Sequence, residues 1–182
     1  MKKITCLLAV VAIMGCSQAK NNGNTENVIT SGADSAAQKS QSQQNIQNIP
    51  PFRILTTDSV YVTQTILKKN KPVMFIYFSP DCTHCTKFLD ELKPHLKELS
   101  KFQIVMVTWI KYAAVKPFYD KMGYSAYKNI TMGTEGDDLL VQQYFQIKDT
   151  PYVAIYNQSG KLVKTFDKPE KVDELLATAK KA

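Results

Sequence analysis

Between Val73 and Phe78 the chain reads VMFIYF, six consecutive apolar residues, and four positions later it reaches Cys82-Thr83-His84-Cys85. An apolar run of that length without alternation predicts a strand buried on both faces, and such a strand needs covering layers above and below its sheet. The residues after the cysteines have a different period. Phe88, Leu89, Leu92, Leu96 and Leu99 recur at helical spacing, which predicts a helix from Cys82 to about Ser100 with one apolar face. Pro94 should kink it, because the ring removes a donor and clashes with the carbonyl four residues back. A second buried strand, FQIVMVTWI over 102–110, follows, and strand–helix–strand of this kind forms a right-handed parallel unit. Two cysteines three apart thus stand where a buried strand of an α/β sheet hands over to a helix.

The flanking segments extend that sheet. FRILTTD reads as a short strand and SVYVTQTILKKN as a helix, with Asp58 or Ser59 near its cap. AAVKPFYDKMGY and DDLLVQQYFQI read as further helices, separated by a less regular SAYKNITMGTEG. PYVAIYNQSGKLVKTFDK alternates about the turn NQSG, which predicts an antiparallel hairpin, and PEKVDELLATAKKA a final helix that opens near Pro169 and ends in lysines. The expected architecture is a central mixed β-sheet with helices on both faces. Tyr112, Phe118, Tyr119, Tyr124 and Tyr127 are expected to serve core and loop packing, with a substrate surface as the alternative.

The N-terminus reads as an address. Lys2 and Lys3 precede Ile4 to Met14, an apolar stretch too short to span a bilayer. It closes in IMGC, which resembles the lipobox of bacterial lipoproteins. The resemblance implies a signal peptide over 1–15, cleavage before Cys16 and lipidation of that cysteine. Residues 17–49 are rich in Asn, Gln, Ser, Gly and Ala without apolar periodicity, so residues 16–49 are expected to be a lipidated cysteine and a disordered linker. Such a linker spans roughly 30 Å on average and about 110 Å when extended. The folded domain is expected over 50–182, on the extracytoplasmic, periplasmic side and anchored to a bacterial membrane through the lipid. The formal charge of +7 rests on lysine, since Arg53 is the only arginine. Readers of nucleic acid favour arginine, so no nucleic-acid partner is expected.

In that compartment disulfides persist, and with Cys6 and Cys16 assigned to the address only Cys82 and Cys85 remain as free sulfurs. A structural staple across two residues closes almost no loop and so constrains little. A metal site is the rival use. His84 sits between the cysteines, and His95, ten residues beyond Cys85, would be about 15 Å away along a helix. No fourth ligand is evident, so neither metal nor cofactor is expected. A copper or other metal carrier and a redox-silent peptide-binding module remain the alternatives.

With the buried strand ending in FIYFS, the Cys82–Cys85 motif opening a helix, and QQYFQIKDTP before a terminal hairpin, residues 52–182 resemble the thioredoxin-fold family. The likeness is greatest to its extracytoplasmic, membrane-tethered branch. The resemblance implies a thiol–disulfide oxidoreductase acting on protein thiols and disulfides, served by an upstream redox partner and working as a monomer. It makes Cys82 the nucleophile near the helix N-terminus, Cys85 the resolving thiol, and His84 a cation or donor beside Cys82. It also implies a cis bond at Thr150–Pro151 facing the cysteines, leaving main-chain groups there for an extended substrate. Trp109, at a strand end on the edge where open α/β sheets bind ligands, is a candidate substrate contact. Two departures bear on efficiency. The family's buried acid six residues before the first cysteine is Ile76 here. Asp81 replaces the usual tryptophan, and its charge opposes ionisation of Cys82. Direction stays open between two resemblances. His84 directly before the second cysteine is similar to the family's periplasmic oxidases, whereas the tethered layout is similar to its reductases. The slight lean to a reductase comes from that second resemblance.

Overall fold

The computed structural model describes residues 46–182. Seven strands form one sheet in the order β2-β1-β5-β4-β3-β6-β7. The strands are β1 (Arg53–Thr56), β2 (Tyr61–Thr63), β3 (Val73–Tyr77), β4 (Gln103–Thr108), β5 (Ile130–Thr134), β6 (Tyr152–Tyr156) and β7 (Leu162–Asp167). The central trio β3, β4 and β5 is parallel, whereas β6 runs antiparallel to β3, β7 to β6, β1 to β5 and β2 to β1. Among the described residues four α-helices accompany them: α1 (Thr83–Leu92), α2 (Tyr112–Met122), α3 (Leu140–Phe145) and α4 (Val172–Lys181).

Alternation along β3 divides the core in two. Met74, Ile76 and Phe78 face one side, where they pack with Phe88, Leu89 and Leu92 of α1, Val115 of α2, and Leu175 and Leu176 of α4. Val73, Phe75 and Tyr77 face the other, with Val141 and Phe145 of α3 and with Phe52. Every residue of β3 is buried, as a strand sandwiched between layers requires. Each of the three large α1 side chains that leaves water for this core contributes roughly 1.5–3 kcal/mol. Ile46 and Asn48 are tied to the same body, accepting from the Tyr156 and Tyr144 hydroxyls through their carbonyls. Among the described residues no buried side-chain nitrogen or oxygen lacks a hydrogen-bond partner. Residues 46–182 therefore hold two cores with their buried side-chain polar groups satisfied, which is what a self-sufficient folding unit requires.

Four local expectations differ from the structure. The helix expected in SVYVTQTILKKN is instead β2 followed by a 3-10 turn, Gln64–Ile66. Val60, Val62 and Thr63 are β-branched, and β2 pairs directly with β1 across a turn in which Ser59 has φ 61°. The α-helix after the cysteines stops at Leu92, and Pro94 opens a 3-10 turn, Lys93–His95, so the proline ends the helix where a kink was expected. SAYKNITMGTEG contains β5, paired in parallel with β4. Gly133 is the reason it pairs so closely with β1: a Cβ there would lie 2.6 Å from the Leu55 carbonyl oxygen. Finally, DDLLVQQYFQI yields only the six-residue α3, bounded by Leu139 and Gln146, both in the left-handed region.

Candidate active site

The parallel strands β3, β4 and β5 all end at one edge of the sheet, and the chemistry-bearing residues gather there. β3 runs out at Tyr77, and Phe78 donates its N–H to the Val107 carbonyl before the chain turns through Ser79-Pro80-Asp81. Cys82 then caps α1. Its backbone is extended (φ −90°, ψ 116°) and its Sγ accepts the Cys85 N–H at 3.2 Å. The cysteine therefore stands one position before the helix, in the role that serine, threonine or aspartate usually fills, and its sulfur meets an otherwise unpaired helix N–H.

Both cysteines are free thiols, Cys82 half-buried and Cys85 buried. Burial of the Cys82 thiol works against ionisation, but hydrogen bonds from the Cys85 thiol and N–H, from Thr150 and from the His84 N–H outweigh it, so the pKa lies below that of an ordinary thiol. Cys85 behaves oppositely. Burial, then the hydrogen bond and charge of Cys82, push its thiol up to about 11. One sulfur is acidified and the other held as thiol.

Thr150 and Pro151 face this pair. The Thr150–Pro151 bond is cis, and the Cys82 thiol lies 3.7 Å from the Thr150 carbonyl oxygen. Pro151 is buried, and its carbonyl accepts the Lys168 N–H at 2.9 Å, which draws the β7–α4 loop to the same edge. The structure thus brings Cys82, Cys85, Thr150 and Pro151 together. His84 joins them differently than expected. Its backbone N–H serves Cys82, while its exposed ring lines a cleft with Lys87, Lys168 and Glu170. Asp81 is exposed, its N–H directed to Ser79 Oγ at 3.3 Å, and its charge is not among the principal influences on Cys82.

Trp109 follows β4 at the same edge, 37 % exposed, and stacks on the Tyr77 ring with centroids 5.6 Å apart. The Tyr77 hydroxyl donates to Glu135 Oε1 at 2.8 Å, and Glu135 also accepts the N–H groups of Val141 at 2.8 Å and Gln142 at 3.3 Å. Glu135 is only 4 % exposed, and burial raises its pKa above the usual carboxylate value. This buried acid escapes a reading of the sequence. The available signal was an acid directly after a parallel strand, but the strand itself reads as irregular. Ile76, fully buried, occupies the position of the family's acid on the Cys85 face. His95 lies at the far end of α1 and pairs with Glu98, remote from the cysteines. Among the described residues no three His, Cys, Asp or Glu side chains come together as a metal-binding group, and no helix is long and apolar enough to cross a membrane. Cys16 lies outside the described residues.

The family model for a thioredoxin-like domain matches residues 61–180, and the chain belongs to that family. Among curated protein sequences none matches the chain significantly. Several solved structures share its fold. A secreted disulfide oxidoreductase of Mycobacterium tuberculosis is 17% identical with a TM-score of 0.61, the match covering 76% of this chain and 98% of that one. The thioredoxin domain of a thiol–disulfide oxidoreductase from Bacteroides vulgatus is 19% identical with a TM-score of 0.60, over 74% of this chain and 94% of that one. An exposed lipoprotein thioredoxin of Streptococcus pneumoniae is 20% identical with a TM-score of 0.55, over 72% and 99%.

Proposed function

We propose that this domain is an extracytoplasmic thiol–disulfide oxidoreductase, lipid-anchored through Cys16, that reduces disulfides of client proteins. The observation that carries the reading is the asymmetry of the pair: Cys82 is accessible, capped by an N–H and acidified, while Cys85 is buried and held protonated. The Cys82 thiolate attacks one sulfur of a client disulfide. The client S–S bond breaks, its departing thiolate takes a proton, and a Cys82–client disulfide remains. Cys85 then loses its proton and attacks Cys82 Sγ, releasing the second client thiol and leaving the Cys82–Cys85 disulfide. The client gains two electrons and the domain loses two. An upstream dithiol partner restores the reduced pair by the same exchange in reverse.

Thr150 and Pro151 line the approach to Cys82, and the exposed face of Trp109 supplies an apolar contact for the client chain. The secreted and surface-lipoprotein relatives of this fold support the extracytoplasmic setting, as does the IMGC signal. Trapping tests the roles. Cys85→Ser should accumulate a client–Cys82 mixed disulfide and Cys82→Ser should accumulate none; equal trapping by both would overturn the assignment. Equilibration of the domain in glutathione and dithiothreitol buffers tests direction. A potential near about −270 mV fits a reductant, and one near about −120 mV an oxidant.

A further inference from the structure

The redox site uses one edge of the sheet, and the opposite edge has a composition of its own. Pairing of Val73 with Gln103 and of Ile104 with Ile130 brings the starts of β3, β4 and β5 to that edge, and pairing of Tyr156 with Val73 and Leu162 adds the β6–β7 turn. The loop before β3 carries Lys68, Lys69 and Lys71, the loop before β4 Lys97 and Lys101, the loop before β5 Lys128, and the β6–β7 turn Lys161. The end of α4 adds Lys180 and Lys181, with Lys180 lining the same cavity as Lys101. All nine lysines are exposed, and among the described residues none is in an ion pair. A single acid, Glu98, lies in these segments, and it pairs with His95. The loops at the redox edge have the reverse balance, six acids to four lysines.

These lysines are continuous in space. Lys68 and Lys71 line one cleft with Ile49 and Gly160 and a second with Lys128. The Lys68 backbone is pinned to β4, its N–H donating to Gln103 Oε1 and its carbonyl accepting from Gln103 Nε2 at 3.0 Å. Strands of five or six residues separate the two edges by roughly 20 Å, more than twice the physiological Debye length of ~8 Å, so each edge acts on its own neighbours. The chain also enters the described fold here. Asn48 bridges to Lys161, its Oδ1 accepting from Lys161 Nζ at 2.7 Å.

We propose that this lysine edge is a docking surface for an anionic lipid bilayer, seating the domain with its redox edge turned away from the membrane. Lysine ammonium groups on several loops suit a plane of phosphate headgroups, where each cation near the surface adds attraction without fixed geometry. Arg53, the single arginine and the residue type suited to bidentate reading of bases, is not among them; it pairs with Asp138. The proposal goes beyond the redox reading and does not depend on it, because docking uses none of the residues around Cys82.

Cosedimentation of residues 46–182 with vesicles of phosphatidylcholine and phosphatidylglycerol, in a seven-to-three ratio, tests it. Binding is expected at low salt, should fall as salt rises, and should be absent with phosphatidylcholine alone. Lys68→Gln, Lys71→Gln, Lys101→Gln and Lys128→Gln together should weaken binding by roughly six hundredfold, at roughly fivefold per lysine. The control of equal charge, Lys87→Gln, Lys111→Gln, Lys148→Gln and Lys171→Gln, should weaken it far less. Circular dichroism and melting show that both variants fold, and disulfide reduction by the first should match wild type whether or not the redox reading holds. Absence of binding to anionic vesicles, equal losses in the two variants, or binding to random duplex DNA with no binding to vesicles would each overturn the proposal.

Discussion

In the proposed exchange, resolution of the mixed disulfide depends on a proton that the site holds tightly. Cys85 is fully buried, and its thiol is pushed up to about 11 by burial first, then by the hydrogen bond and charge of Cys82. At pH 7 a thiol of that pKa is ionised to about one part in 10⁴, and each pH unit raises the thiolate about tenfold. Once Cys82 is tied up in a mixed disulfide its charge no longer opposes Cys85, but burial, the largest cause, remains. No carboxylate assists, since Ile76 stands on the Cys85 face and Glu135 on the other. The reduced domain mixed with dithionitrobenzoate should therefore release its chromophore in two phases. The first forms the adduct on Cys82, and the second is displacement by Cys85. The leaving thiolate stays ionised throughout, so the second phase should accelerate about tenfold per pH unit between about pH 6 and 8. The first should vary less, because Cys82 is already acidified. A second phase that changes by less than about threefold over that interval would refute the view that ionisation of Cys85 limits resolution.

Glu135→Ala should strand the Tyr77 hydroxyl and the Val141 and Gln142 N–H groups, at about 1–3 kcal/mol for each buried donor. The expected loss is about 3 kcal/mol, read from the urea midpoint at unchanged m-value, with a shift in the emission of Trp109, the only tryptophan. Because burial raises the Glu135 pKa, its contribution is full below the unfolded carboxylate pKa and is lost as pH rises through the folded one; the margin of wild type over Glu135→Gln should shrink from acidic to neutral pH. Gly133→Ala would press a Cβ onto the Leu55 carbonyl and should cost about 2–4 kcal/mol by thermal melting, with an unchanged melt counting against so close a β1–β5 contact. Iodoacetamide at neutral pH should label Cys82 and spare Cys85, as peptide mass spectrometry would show; equal labelling would contradict their opposite environments.

What the sequence made legible follows from how local each signal was. VMFIYF needs no context, since six apolar residues in a row fit only a covered strand, and its helix partner declares itself through Phe88, Leu89 and Leu92. The cysteine pair, Thr150 and Pro151 were legible for the same reason, each lying at a boundary between strong periodic segments. β5 was not. ITMGT carries a glycine and two threonines, and what makes it a strand is pairing on both sides, with β4 and β1, which no window of sequence contains. β2 failed similarly, because three residues cannot display a period of two, and its strand character comes from the hairpin with β1. His84 was legible as a cation or a donor beside Cys82, but which group donates was not, because the helix start uses the backbone N–H.

Glu135 illustrates why a buried acid near a redox pair is not by itself a proton carrier. Neighbours along a strand point to opposite faces, so an acid at position 76 would face Cys85, while the partner of Tyr77 must lie on the other side. The contacts agree: Ile76 packs with Cys85 in one core and Tyr77 with Val141 and Phe145 in the other. A proton leaving Glu135 would have to cross the sheet to reach Cys85. What Glu135 holds instead is the start of α3 and, through Tyr77, the ring on which Trp109 stacks. The acid is thus a positioning residue for the exposed indole, and Cys82 draws its acidity from the Cys85 thiol and N–H at the start of α1, then from Thr150 and the His84 N–H. The two sets of effects should separate. Changes at Glu135 should move Trp109 emission and client affinity while leaving the pH profile of Cys85 attack in place. An acid introduced at Ile76 should flatten that profile and leave Trp109 where it is.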